Sequence, residues 1–157
     1  MTFKQAVEQT PNLENAWRVG LQALRAEDKP HIKPEDTRRL RGSADIDSAL
    51  LMEQPSANRW DFAIAYQHSN RQDEYVYWVE LHTASDSEVK VVIKKAQWLL
   101  DWLKGRAQEL NAFERELVWV SSGATSFSLT STQRKQMAEV GLQYKGSHLR
   151  IPNQRPD

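Results

Sequence analysis

The period of the apolar positions changes along the chain, and each change marks an element. Leu13, Ala16, Trp17, Leu21 and Leu24 recur at helical spacing. Thr10 and Pro11 supply an N-cap and a first-position proline, so this pattern predicts a helix from about residue 10 to 26. Pro30, Pro34 and Gly42 then mark residues 27–42 as a connection. Three strand-like runs follow: Ala44–Met52, Trp60–Gln67 and Tyr75–Ala84. The joints EQPSANR and HSNRQDE are short and polar, which predicts an antiparallel meander. Val92, Ala96, Leu99 and Leu103 form a helical stripe, capped by Asp86 or Ser87 and ending at Gly105, with a further turn or two over residues 106–114. Leu117–Ser121 reads as a central strand because it is apolar on both faces. Ser131 or Thr132 opens a helix closed by Gly141, and His148–Ile151 forms a last strand. The order α-β-β-β-α-β-α-β describes one α/β domain over residues 1–157, with a single mixed sheet and helices flanking it.

Strand alternation decides where the carboxylates point. Trp78, Glu80, His82 and Ala84 share one face of the third strand. Asp61, Ala63 and Ala65 share a face of the second, and Asp45 and Asp47 share a face of the first. A helix packed there would bury Glu80, and a buried carboxylate is stable only when paired or bound to metal. Two readings follow. In one, Glu80 pairs with an Arg or Lys, and His82 donates to a backbone carbonyl. In the other, Asp61, Glu80 and Asp47 converge on a hard divalent cation with His82 beside it. Oxygen ligands favour Mg²⁺ or Mn²⁺, and one imidazole moves the preference toward Mn²⁺.

Charge sharpens this picture. Lys plus Arg and Asp plus Glu are both 21, so a polycation that coats nucleic acid or membrane is excluded. The balance is uneven, however. Residues 1–41 carry +2, residues 42–90 carry −6 and residues 91–157 carry +4. An acidic block between basic flanks fits either solvated loops or a cation-binding cluster edged by phosphate-binding surface. Arg38, Arg39 and Arg41 are the densest basic cluster, placed either to neutralise Asp45 and Asp47 or to meet phosphate. The absence of Cys excludes disulfides, thiolate metal sites and cysteine nucleophiles. Six Trp are read first as packing. No apolar run reaches the length of a membrane span, and MTFKQAVEQTPNLE lacks the apolar stretch of a signal peptide, so a cytoplasmic location is expected. Ser121-Ser122-Gly123 is not a nucleophile elbow, and the chain has no P-loop or dinucleotide fingerprint.

With Asp61 in RWDFAI and Glu80-Leu81-His82 in YWVELHTA, the order α-β-β-β-α-β resembles the PD-(D/E)xK, restriction-endonuclease-like superfamily over roughly residues 10–123. The run from RGSADID through RWDFAI to VELH is also similar to a set of bacterial proteins to which no activity is attached. The superfamily resemblance implies a metal-dependent nuclease acting on DNA or RNA. Asp61 and Glu80 would hold Mg²⁺ or Mn²⁺ with the Leu81 carbonyl, and Asp47 would be an auxiliary acid. His82 stands where the family usually has Lys. It would serve as a base near neutral pH, or the cation would come instead from Lys94 or Lys95 on the following helix, where each could equally be a snorkelling surface charge. Glu14 is either a further carboxylate or a surface residue. Partners under this reading are nucleic acid, with a homodimer left open. The rival reading is a non-catalytic domain of the same fold that binds a protein partner in an immunity or defence setting.

Overall fold

A computed structural model describes residues 1–123 and 128–156. Its elements are α1 (Phe3–Glu8), β1 (Trp17–Arg18), β2 (Ile32–Pro34), β3 (Leu40–Asp45), α2 (Ile46–Leu50), β4 (Phe62–Tyr66) and β5 (Tyr75–His82). They continue with α3 (Val89–Arg106), α4 (Gln108–Asn111), β6 (Arg115–Ser121), α5 (Ser131–Glu139), β7 (Leu142–Tyr144) and β8 (Leu149–Ile151). Six strands form one mixed sheet in the order β1-β3-β4-β5-β6-β7. The meander β3-β4-β5 is antiparallel, whereas β6 runs parallel to β5 and β7 parallel to β6. A parallel pair needs a crossover, and α3 supplies it between β5 and β6, as α5 does between β6 and β7.

The alternation read from the third strand holds. Ala63, Ala65, Val76, Trp78, Leu117 and Trp119 pack into one core. Phe62, Ile64, Tyr77, Val79, Leu81, Val118 and Val120 pack into a second on the opposite face. The first core receives buried residues from all five helices, including Phe3, Leu50, Leu99, Leu110 and Met137. The helices flank the sheet as expected, with their buried residues in the first core. The other face is closed by Leu24, Ile32, Leu149 and Ile151. These include residues of a separate two-stranded parallel sheet, β2 with β8, so the expected single sheet is two.

Three expectations fail for local reasons. The helix over residues 10–26 is absent. Thr10 is fully buried, and its hydroxyl donates to the Ala6 carbonyl at 2.7 Å, so it follows the end of α1 instead of opening a helix. Asn12 then takes a left-handed φ of 73°, which no continuing helix tolerates. The apolar residues of the segment still face inward: Leu13 is fully buried, and the Trp17 indole donates to the Arg41 carbonyl at 3.1 Å. Helical spacing was thus produced by a turn-rich segment laid on the core. The first meander strand is β3, starting four residues earlier than Ala44 and stopping at Asp45. There the Asp45 carboxylate accepts from the Ser48 N–H at 2.9 Å and from its hydroxyl at 2.8 Å, capping α2 and turning the chain out of the sheet. Asp45 and Asp47 consequently do not share a strand face. Residues 27–42 also hold β2 and the start of β3, so they are more than a connection.

The caps of the later helices shift slightly. A 3-10 turn over Asp86–Glu88 begins after Ser85 and runs into α3, and Thr130 caps α5 through a capping box with Gln133. Gly141 follows α5 with a φ of 70°, the left-handed conformation expected there. Residues 152–156 are tied back by the Tyr66 hydroxyl donating to Asn153 at 2.8 Å and by Arg155 reaching the Tyr75 hydroxyl at 2.6 Å.

Candidate functional site

The carboxyl ends of β3 and β5 and the beginning of β4 lie at one end of the sheet, because β4 runs antiparallel to both. Asp61 sits one residue before β4, and Glu80 lies two residues before the end of β5. A reciprocal clasp joins them. The Asp61 N–H donates to Glu80 Oε1 at 3.2 Å, and the Leu81 N–H donates to Asp61 Oδ2 at 3.0 Å. The two strands thus continue past their backbone ladder by side-chain bonds. The backbone of Asp61 is held in turn by α2, whose first amide, Ile46 N–H, donates to the Asp61 carbonyl at 2.9 Å.

Helix α3 returns across this end and supplies the cation. Lys95 Nζ lies 2.5 Å from Glu80 Oε2. Glu80 is fully buried, while the Lys95 side chain retains 20 % exposure, so the pair is open to solvent only on the lysine side. Val92, Ala96 and Leu99 anchor α3 in the core on either side of Lys95, which fixes the direction its stem takes. The lysine is therefore neither a free surface charge nor a snorkelling one.

Electrostatics bind the group together. Burial, reinforced by the Asp61 carboxylate, pushes Glu80 up to about 8 despite the pull of Lys95. Burial also raises Asp61 above the usual carboxylate range, with Lys95 acting against it. The Lys95 ammonium is disfavoured by burial, but Glu80, Asp61 and Asp47 together raise its pKa above the ordinary lysine value. Asp61 thus raises Glu80, burial raises both carboxyls, and the Lys95 ammonium lowers both.

His82 closes the cluster on the other side. Its Nδ1 lies 3.6 Å from Glu80 Oε2, and its Nε2 makes a 2.7 Å contact with Glu88 Oε2. Both ring nitrogens face carboxylates, so the imidazole does not donate to a backbone carbonyl as one reading expected. Glu88 was not singled out from the sequence. Its signal lay in its place directly before α3, six residues after His82, close enough for the 3-10 turn to fold it back.

The remaining candidates separate. Asp47 lies within electrostatic range of Asp61 and Lys95, yet its carboxylate is bound by Arg59 Nε at 2.9 Å. Lys94 is exposed and lines a groove between α3 and α5, away from Glu80. Glu14 is exposed outside any helix and accepts from the Asn12 N–H at 3.1 Å. Arg38 pairs with Asp36 at 3.0 Å, Arg39 donates to the Gln67 carbonyl at 3.2 Å, and Arg41 donates to the Arg38 and Leu40 carbonyls. None of the three meets Asp45 or Asp47. Gln67 lies six residues beyond Asp61 along β4, roughly 20 Å at strand rise, so this basic cluster belongs to the opposite end of the sheet.

The donor set suits a divalent ion in one respect and not in another. Mg²⁺ is commonly held by one or two carboxylates plus water and substrate phosphate, which Asp61 and Glu80 match. Among the described residues, though, no three His, Asp or Glu side chains group closely enough to hold an ion by themselves. Any metal would therefore rest on two carboxylates, with Lys95 sharing Glu80.

Compared with known proteins, the chain matches no family model, and neither a curated protein nor a solved structure matches it significantly. Among the described residues, no helix is long and apolar enough to cross a membrane.

Proposed function

We propose that Asp61, Glu80 and Lys95 form the active site of a metal-dependent nuclease-like domain acting on phosphodiester bonds in DNA or RNA. The observation that carries this reading is the convergence of Asp61 at the start of β4, Glu80 in β5 and Lys95 from α3. An antiparallel meander followed by a helical crossover and a parallel strand, with an acid pair and a nearby lysine, is what the PD-(D/E)xK resemblance implies, and this supports the reading. The lysine comes from the helix instead of the strand, so His82 does not take its role.

Asp61 and Glu80 would hold Mg²⁺ or Mn²⁺, which supplies Lewis-acid polarisation of a phosphate and a more acidic bound water. Lys95 donates one N–H to Glu80 and offers its others to a water or phosphate oxygen, placing positive charge where negative charge grows. Glu88 orients His82, whose ring shields the Glu80 carboxylate from solvent on that side. Asp47 is held by Arg59 and acts on the site through its charge alone.

The test is cleavage of end-labelled single- and double-stranded DNA and RNA with Mg²⁺ or Mn²⁺. Wild type should cut, and Lys95→Ala or Glu80→Ala should lose roughly 10²–10³-fold, the usual cost of removing such a group. No cleavage by wild type of any of these substrates, or variants as active as wild type, would overturn the reading. One observation favours the rival, a non-catalytic domain that binds a protein: Lys95, 2.5 Å from Glu80 Oε2, gives the buried carboxyl a partner within the chain itself. In that case Mg²⁺ and Mn²⁺ leave the melting temperature unchanged.

A further inference from the structure

His68 is fully buried and stands apart from the site at Asp61, two residues past the other end of β4. Its ring lies among those of Tyr66, Tyr75 and Tyr77, at 4.9, 5.6 and 5.9 Å between centroids. Beside it runs the segment 152–156, a strap that leaves β8 and is laced to the loop after β4. The Ser69 N–H donates to the Asn153 carbonyl at 2.7 Å, and the Arg155 N–H donates to the Asn70 side-chain oxygen at 2.9 Å. His68 joins this strap to the sheet. Its Nδ1 lies 2.9 Å from the Pro152 carbonyl, and its Nε2 lies 2.9 Å from the Tyr77 hydroxyl. We propose that His68 is a proton-operated latch, which holds residues 152–156 on the sheet while neutral and lets them go when its ring takes a second proton.

The hydrogen bonds fix the state of the ring. A carbonyl only accepts, so Nδ1 carries the proton and Nε2 keeps the lone pair into which the Tyr77 hydroxyl donates. A neutral imidazole supplies one donor and one acceptor, and its two partners require one of each. A second proton turns Nε2 into a donor that faces a hydroxyl already donating. Tyr77 is buried, so its displaced proton has no bulk water to turn to, and an unmet buried polar group is costly. The charged neighbours add to this. Arg155 of the strap reaches the Tyr75 hydroxyl at 2.6 Å, and Arg71 of the loop donates to the Asn70 and Pro156 carbonyls at 3.3 and 3.4 Å. Glu116 on β6 is the facing acid, and it already accepts from Arg155 Nη2 at 3.2 Å. Glu35, just past β2, accepts from the Asn153 N–H at 2.7 Å and is the strap's other titratable anchor. Burial is the main force that holds His68 below the ordinary 6.5, with Arg155 acting the same way and Glu116 and the Pro152 and Asn153 backbone acting against it. The sign follows: below about pH 6.5 an opened strap admits a proton that the closed one refuses, so acid favours opening. The strap yields before the sheet because Pro152, Gln154 and Pro156 are exposed, whereas Tyr66, Tyr75 and Tyr77 belong to the second core.

The experiment is amide hydrogen exchange of the full chain, followed by NMR between about pH 7.5 and 5, with protection corrected for the intrinsic exchange rate. The amides of Ser69, Asn153 and Arg155 report on the strap, and those of Ile64 and Val79 report on the sheet. Below about pH 6.5 strap protection should fall by up to about tenfold per pH unit, the slope of one proton, while Ile64 and Val79 stay protected. His68→Asn keeps an N–H for the Pro152 carbonyl and has nothing to titrate, so its strap should hold across the range. Tyr77→Phe removes the donor at Nε2, favours the second proton and should move the fall to higher pH, which keeps the test decisive where His68→Asn does not fold. Glu35→Gln should leave the pH dependence in place. Strap protection that is constant with pH in wild type, a fall that survives in His68→Asn, or strap and sheet amides lost together would overturn the proposal. The latch lies at the opposite end of β4 from Asp61 and needs no metal, so its failure leaves the nuclease reading standing, and the converse also holds.

Discussion

Replacing Glu80 by Gln removes the charge while keeping the shape and an acceptor for the Asp61 N–H. The consequence depends on pH, with a sign set by the direction of the Glu80 shift. Its carboxyl is raised from an ordinary 4.5 to about 8 in the folded chain, so between those values the folded state holds a proton that the unfolded chain releases. The contribution of that proton to stability is complete below about pH 4.5 and is lost as pH rises through about 8. At 1.36 kcal/mol per pH unit the loss reaches about 3 kcal/mol at pH 7 and about 5 kcal/mol at the alkaline limit, both upper bounds. Glu80→Gln lacks this dependence. Urea denaturation of both proteins at pH 5, 6, 7 and 8, followed by Trp fluorescence, should show the variant gaining on wild type as pH rises. A divalent cation sharpens the test, because it binds the ionised carboxylates and displaces the proton. In wild type the stabilisation by Mg²⁺ or Mn²⁺ should grow from pH 6 to 8, and in Glu80→Gln it should vanish. Parallel stability curves for the two proteins, or wild type gaining on the variant with pH, would refute the account of Glu80 as a carboxyl forced toward its neutral form.

Lys95→Met leaves Glu80 and Asp61 without their ammonium, and at pH 8.5 it should cost about 3 kcal/mol, the lower end for breaking a buried pair. At pH 5 Glu80 holds its proton and the same variant should cost much less; an equal cost at both pH values in urea melts would argue against the ion pair. Gly42 has a φ of 108°, and a Cβ there would strike the Trp17 indole and approach the Arg18 carbonyl to 2.9 Å. Gly42→Ala should therefore lower the melting temperature by several degrees and expose Trp17, seen as a red shift in its emission; an unchanged melting curve would show that β1 moves aside without cost.

Much of the sheet was legible in the sequence because strand alternation is a local property. The run YVYWVELH could place its side chains on two faces only, and that fixed Glu80 and His82 on the face with Trp78 before any partner was known. The long stripe of α3 and the short polar joints of the meander are equally local signals. Helical spacing over Leu13 to Leu24 misled because apolar residues in a turn-rich segment also face the core, and only Thr10 closing onto Ala6 and the left-handed Asn12 distinguish the two. Asp45 was legible as an acid in a strand but not as the cap that ends it, since capping needs Ser48 to turn back onto it.

What the chain alone determined is which side chains carry charge toward a buried face, because pleat and period follow from covalent geometry. What the tertiary structure alone decided is which cation answers them. Lys94 and Lys95 are adjacent in sequence, yet about 100° of helical rotation sends one to solvent and the other to Glu80. Likewise Arg59, not the denser Arg38, Arg39 and Arg41 cluster, meets Asp47, and His31 meets His148 across most of the chain. Charge pairing acts over a few ångströms and carries no periodic signal, so it becomes visible only when the strands and helices that hold the charges are brought into place.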